Sequence, residues 1–363
     1  MIVFAGAIAA LLAFALAAAA TPVTRRLAGR FGMLDVPRGH KTHVRPTPLL
    51  GGCAILAAVL LPSLLVLAVA RVWAETGPPH WLPKELAVHI GGAAERAGQG
   101  VGILAAALFL HAVGLVDDRR SLGAWLKLAA QAAAAAAVVL LCGVRILTAA
   151  GPALSAIASI VWVVAITNAF NFLDNMDGLA AGVAAICAAA LLGAAAGMGQ
   201  WFVAGWLCVL LGAVMGFLPY NFPPASSFMG DAGSLVIGFL LAVASCLVTY
   251  VQPGQTYYLY GIFVPPVLMA VPLYDMLSVV LIRLRERRNP MIGDRRHFSH
   301  RLVRRGMSPR TAVLTIYLAT AATAIAASLL PHVRGNTGAV LVFAQTLAVL
   351  LIVALLEFAD AKA

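Results

Sequence analysis

Apolar runs of about twenty residues recur along the whole chain, each long enough for one α-helix to cross the hydrocarbon core of a bilayer. They fall at roughly 2–24, 49–70, 100–116, 125–143, 156–173, 179–197, 201–218, 233–250, 261–282, 310–330 and 337–358. Of the 363 residues, 62% are hydrophobic and only 11% charged; a soluble domain carries about 25% charged residues. The sequence therefore predicts an all-α, polytopic integral membrane protein with about 11 transmembrane helices, one multi-span domain over 1–363.

The first run resembles a secretory signal, with "AAAATP" as a cleavage site, but no positive charge precedes it and Arg25 and Arg26 follow it. That pattern predicts a retained first helix with its N-terminus outside. The segments 25–48, 117–124, 174–178, 219–232 and 283–309 are then cytoplasmic. They hold most of the Lys and Arg, whereas the outer segments hold only Arg71, Lys84, Arg96, Arg145 and Arg334. Basic residues gather in cytoplasmic loops, so the net charge of +11 reads as a topology signal and not as a nucleic-acid surface. Cys53, Cys142, Cys187, Cys208 and Cys246 are scattered, without a CxxC pair, and read as small core residues.

Polar clusters are costly beside lipid unless they line a water-filled site or bind something. In this topology every such cluster falls on the cytoplasmic side. The most conspicuous is "NAFNFLDNMDG" (168–178), which follows the apolar "ALSAIASIVWVVAIT" and places Asn168, Asn171, Asp174 and Asp177 three residues apart. That spacing suits one extended polar ligand. "GLVDDRRSLGAWLKLAAQ" (114–131) sets Asp117 beside Asp118, a pair that repels unless a cation or proton intervenes, and puts Lys127 one turn from Gln131. "NFPPASSFMGDAGSL" (221–235) places Asp231 where a new span starts, as an N-cap or a carboxylate for Mg²⁺.

"GDRRHFSHRLVRRGMS" (293–308) sets His297 and His300 among arginines, including Arg296 and Arg301, and reads as an anion site. "HKTHVRPTPLLGG" (40–52) is a basic juxtamembrane loop containing Arg45, and Asp275 lies within the ninth run. Together these supply carboxylates for Mg²⁺, cations for phosphates and amides for a base or sugar.

The set "LVDD", "NAFNFLDNMDG", "FMGDAGSL" and "DRRHFSHRL", spread over about 35–306, resembles the polyprenyl-phosphate N-acetylhexosamine-1-phosphate transferases, glycosyltransferase family 4. The "DRRHFSH" segment and the eleven runs are more similar to the undecaprenyl-phosphate GlcNAc-1-phosphate transferase branch than to the phospho-MurNAc-pentapeptide transferase of peptidoglycan synthesis, although Ser299 stands where that branch usually has His. The resemblance implies a bacterial inner-membrane enzyme in which a polyprenyl phosphate attacks the β-phosphorus of a UDP-N-acetylhexosamine and releases UMP. It implies a Mg²⁺ requirement (Mn²⁺ as substitute), members that are often homodimers, and the first membrane step of a cell-envelope glycan.

Carried onto this chain, the resemblance implies that Asp117 positions or deprotonates the lipid phosphate and that Asp118 supports it. Asp231 would ligate the metal, with Asp118 as second ligand, and Phe228 would stack on uracil. Asn168, Asn171, Asp174, Asp177, Asn221 and Arg45 would line the nucleotide–sugar pocket. Lys127, Arg296, His297, His300 and Arg301 would bind phosphate or sugar. An ion-coupled anion transporter is the alternative from another class, but it predicts mid-span charges and an internal repeat, neither of which the sequence displays.

Overall fold

A computed structural model describes residues 1–36, 46–250, 258–289, 296–333 and 335–358. Its helices are α1 (Ile2–Phe31), α2 (Gly51–Thr76), α3 (Lys84–Ala87), α4 (Ile90–Glu95), α5 (Ala97–Arg119), α6 (Ala124–Leu141), α7 (Pro152–Leu173), α8 (Leu179–Gly197), α9 (Trp201–Asn221), α10 (Gly230–Leu247), α11 (Val264–Leu268), α12 (Ala270–Arg285), α13 (Phe298–Arg304), α14 (Pro309–Leu329) and α15 (Asn336–Phe358). Two-residue strands β1 (Leu34–Asp35) and β2 (Thr47–Pro48) pair antiparallel, Leu34 opposite Pro48.

Among the described residues, 10 helices are long and apolar enough to cross a membrane, and an eleventh span results if α11 and α12 count as one. The expected run at 261–282 is not one straight helix: it bends by 65° between Leu268 and Ala270. Pro265 and Pro266 can open a helix but remove donors from its interior, and Pro272 repeats that just after the break. The connection between α2 and α5 also contains the short helices α3 and α4, which the apolar pattern did not reveal.

Burial ranks the helices. α10 is central, with 83% of its most apolar window inside the protein, whereas α1 is peripheral at 11%. α10 packs on α5, α7, α2 and α8, while α1 lies along α9 and α2. Small residues permit the closest approaches, as expected where lipid offers helices no hydrophobic drive to associate. A Cβ at Gly114 of α5 would lie 2.4 Å from the Ala232 backbone of α10, and one at Gly52 of α2 would lie 2.4 Å from the Gly233 nitrogen. The first turn of α10 is thus wedged between the backbones of α2 and α5.

This wedge has a measurable consequence. Gly52→Ala forces backbone against backbone, so thermal unfolding in detergent is expected to show a destabilisation of about 1–3 kcal/mol. Gly29→Ala, where no heavy atom lies within 4 Å, should unfold like the parent protein.

The site is positioned by where helices stop. α9 ends before Phe222-Pro223-Pro224, because a residue preceding proline is pushed out of the helical region. α8 starts from Gly178 at φ 73°, and α14 from Ser308, whose hydroxyl accepts the Thr311 N–H at 3.1 Å. The last turns of α5, α7 and α9 and the first turns of α2, α6, α8 and α10 consequently meet at one end of the bundle.

Candidate active site

The centre of that end is a lysine between two carboxylates. Lys127, in the first turn of α6, places Nζ 2.7 Å from Asp231 Oδ2 and 3.1 Å from Asp117 Oδ2. Asp117 is fixed further by the Leu122 N–H, which reaches its Oδ1 at 2.6 Å and closes the turn between α5 and α6. Asn171 holds Asp231 from the other side, its Nδ2 donating to Asp231 Oδ1 at 3.0 Å and to Ser234 Oγ at 2.9 Å.

Asp118 turns the opposite way from its neighbour. Its Oδ1 accepts the Asp231 N–H at 2.8 Å and its Oδ2 the Ala232 N–H at 3.1 Å. It is an N-cap supplied by another helix, satisfying two amides that α10 leaves open and placing a negative charge at the positive end of its dipole. Gly230, at φ 67°, lets the chain enter: a Cβ there would lie 2.4 Å from Asp118 Oδ2. One turn earlier on α5, Gly114 meets Ala232, and a further turn back His111 Nδ1 donates to the Ala232 carbonyl at 2.9 Å. The Asp117–Asp118 repulsion read from the sequence is thus resolved by two different positive partners, Lys127 and the start of α10.

The four-residue ladder divides its work. Asn171 reaches the cluster directly. Asp174, half-buried just after α7, has its carboxyl pushed well above the usual range by burial, and then by the carboxylates of Asp231, Asp118 and Asp177. Asp177 Oδ2 accepts the Ala225 N–H at 2.8 Å, anchoring the proline loop. Asn168 faces α6 and makes a reciprocal amide pair with Gln131, one arm of it 3.3 Å long. Asn168 therefore joins two helices at this point, its amide carbonyl accepting from Gln131 and its amide nitrogen donating to Gln131 and to the Val164 carbonyl.

Asn221 likewise holds the loop, accepting from the Gly178 N–H at 3.1 Å and donating to the Ser227 carbonyl at 3.0 Å. That loop presents Phe228, half-buried, whose backbone pairs with Pro48 at 2.8 Å and Gly51 at 3.0 Å. Arg45 lies outside the described residues.

The histidine segment docks beside this cluster. His297 Nδ1 donates to Asp275 Oδ2 at 2.8 Å, and Asp275 Oδ1 accepts the Phe298 N–H at 3.0 Å. The carboxylate buried in the ninth span thereby gains its partner, and the imidazole its tautomer. The His297 ring lies 5.8 Å from Phe172, the neighbour of Asn171, and 6.4 Å from His300. Ser299 donates to Asn175, tying α13 to the end of α7. Two arginines of the segment are occupied otherwise than expected: Arg296 pairs with Glu286, and the buried Arg301 pairs with Glu357 at 2.7 Å. The structure places Arg301 in a buried ion pair with Glu357 at the end of α15.

His111, Ser234 and Glu357 were not singled out in the sequence. Ser234 carried a signal, lying one helical turn after Asp231; His111 and Glu357, isolated in apolar runs, carried only the rule that a polar residue within a span has a partner.

Among the described residues, no group of three or more His, Cys, Asp and Glu has the arrangement of an all-protein metal cage. Mg²⁺ is seldom bound that way, taking instead one or two carboxylates together with substrate phosphates. Asp231 is one such carboxylate; Asp118, expected as the second, has both oxygens on α10 amides, whereas Asp117 converges with Asp231 on one ammonium, so a donor set of Asp231 and Asp117 fits.

Asp174 provides a stability test. A carboxyl raised in the folded state stabilises it fully below the ordinary Asp pKa, and that contribution is lost as pH rises through the shifted value. Asp174→Asn is therefore expected to raise the thermal midpoint of the metal-free protein at pH 7.5 by about 1–3 °C, and to lose that advantage at pH 4.

Comparison with known proteins adds an independent line. Residues 101–249 match the family model described as glycosyl transferase family 4. The chain is 35% identical over 328 residues to a decaprenyl-phosphate N-acetylglucosaminephosphotransferase of Mycolicibacterium smegmatis, covering 82% of this chain and 75% of that protein. It is 29% identical over 307 residues to a probable undecaprenyl-phosphate N-acetylglucosaminyl 1-phosphate transferase of Bacillus subtilis, covering 82% and 77%. With an undecaprenyl-phosphate alpha-N-acetylglucosaminyl 1-phosphate transferase of Escherichia coli K12 the identity is 28%, over 82% and 76%.

Proposed function

The chain belongs to glycosyl transferase family 4, in its polyprenyl-phosphate GlcNAc-1-phosphate transferase branch, and from that premise we propose that it transfers GlcNAc-1-phosphate from UDP-GlcNAc to a polyprenyl phosphate, releasing UMP. The observation that carries this reading to the residues is the Asp117–Lys127–Asp231 cluster, placed where helix ends open toward the polar side of a bundle of apolar spans.

Phosphoryl transfer needs positioning and charge neutralisation more than covalent chemistry. An oxygen of the lipid phosphate forms a bond to the β-phosphorus, and the bond from that phosphorus to the bridging oxygen breaks, leaving UMP. A phosphate monoester has a second pKa of about 6, so at neutral pH it is already largely ionised. Asp117 therefore orients the acceptor phosphate and need not remove a proton. Asp231 and Asp117 would hold Mg²⁺ or Mn²⁺, which would neutralise charge on the diphosphate. Asp118, both of whose oxygens receive α10 amides, holds Asp231 in place from behind. Lys127 screens the two carboxylates and turns toward the phosphates as they arrive. His297 and His300 face the diphosphate or sugar, and Phe228 the uracil.

The site is assigned to the cytoplasmic face of a bacterial inner membrane. Support comes from Arg25, Arg26, Arg30, Arg119, Arg120, Arg283 and Arg285, all near helix ends on the side of the cluster. The last turn of α15 reaches the same end, as an odd number of spans requires when the N-terminus is outside.

Labelling the donor at its β-phosphorus tests the bond broken. The label should enter the lipid fraction while unlabelled UMP is released. Labelled UDP in the aqueous phase would mean glycosyl transfer without phosphate and would refute the proposal.

A further inference from the structure

We propose that Glu357, in the last turn of the C-terminal helix, is a positioning residue for the turn that carries His297 and His300, acting through Arg301. The placement of the turn follows from the geometry alone; its effect on catalysis rests on the reading that this segment binds the UDP-sugar diphosphate.

Glu357 is 2% exposed, at the end of a helix that is otherwise apolar over its final turns. A buried carboxylate there is expensive unless paired. Its Oε2 forms an ion pair with Arg301 at 2.7 Å, and the Tyr274 hydroxyl lies 3.4 Å from the same oxygen. The backbone carbonyl of Glu357 accepts from Arg305 Nε at 3.1 Å. Arg301 and Arg305 are one helical turn apart, so α15 grips one side of α13 twice.

Arg301 passes this grip on. Its Nη1 donates to the Arg296 carbonyl at 2.7 Å, immediately before His297, and its Nη2 to Ser278 Oγ at 2.9 Å. From the opposite side, Asp275 of α12 receives the His297 ring and the Phe298 amide. The turn is therefore held between α12 and α15, and removing the Glu357 carboxylate leaves Arg301 without its charged partner and Asp275 as the one direct hold on an imidazole that stands against Phe172. Both connections run through arginines that follow the histidines in the chain, Arg301 directly after His300 and Arg305 one turn later.

The test uses the full chain in detergent, with two readouts. The first needs no turnover: the rate at which diethyl pyrocarbonate modifies His297 and His300, followed by peptide mass spectrometry. In Glu357→Ala the rate should rise several-fold with the thermal midpoint still well above the labelling temperature. Glu357→Gln, which keeps an acceptor oxygen for Arg301, should lie between and serves if the alanine variant does not fold. Unchanged rates in the folded variants would overturn the proposal.

The second readout is kinetic. KM for UDP-GlcNAc should rise about 10–100-fold, as when an outer partner that orients a ligating histidine is lost, with KM for the prenyl phosphate retained. A lower kcat in proportion to folded protein, at unchanged KM and unchanged modification rate, would reduce Glu357 to an anchor. Faster modification with unchanged KM would uphold the positioning and refute instead the assignment of this segment to the diphosphate.

Discussion

Asp231→Asn is expected to lower UMP release by at least about 10²–10³-fold, the loss that follows removal of one electrostatic group from an active site, while the protein stays monodisperse and helical. The substitution keeps the shape of the side chain and one oxygen, which can accept from Lys127 or from Asn171, the contacts at 2.7 and 3.0 Å to separate oxygens of the aspartate. What it removes is the charge and one acceptor. Lys127 retains Asp117 as partner, so no buried ammonium is stranded. The amide cannot take the place of a carboxylate toward a divalent cation, and raising Mg²⁺ should not restore the rate. Initial rates across a Mg²⁺ series, with size-exclusion profiles of both proteins, check this; an active Asp231→Asn enzyme would remove the aspartate from the mechanism.

Asp118→Ala should be nearly as damaging, for a different reason. It leaves the Asp231 and Ala232 amides without their acceptors. An unsatisfied buried donor costs about 1–3 kcal/mol, and the first turn of α10, which carries Asp231, is then free to shift. Activity and thermal midpoint should fall together, with Asp118→Asn between the alanine variant and the parent on both scales because it retains one acceptor oxygen. If Asp118 reacted or ligated directly, the asparagine variant would be as inactive as the alanine one at parental stability. The ordering of the two variants thus separates a cap from a ligand.

Much of this arrangement was legible in the sequence because membrane spans leave so little room for charge. Each polar cluster had to fall at a span end, and the charge bias brought those ends to one side. The spacing of "NAFNFLDNMDG" pointed to the ladder, and Asp117, Lys127, Asn171 and Asp231 do meet. Equal spacing did not mean equal function: a three-residue step rotates about the helix axis, so Asn168 turned to Gln131 while Asp177, beyond the end of α7, secured the Ala225 amide.

The remainder depended on contacts between distant segments. Asp118 read as a neighbour of Asp117, and only the approach of α10 made it a cap. Arg301 read as one of several arginines beside a histidine pair, until α15 brought Glu357 to it. The break between α11 and α12 was written in Pro265, Pro266 and Pro272, but hydropathy averages across such a bend.

The central claim meets its most direct test in one reaction series: purified protein, undecaprenyl phosphate and Mg²⁺, with UDP-GlcNAc and UDP-MurNAc-pentapeptide supplied in parallel and UMP followed over time. The account predicts UMP with UDP-GlcNAc, dependent on the prenyl phosphate and abolished by chelation of the metal. UMP with the pentapeptide donor alone, or from neither donor with folded protein, would contradict it.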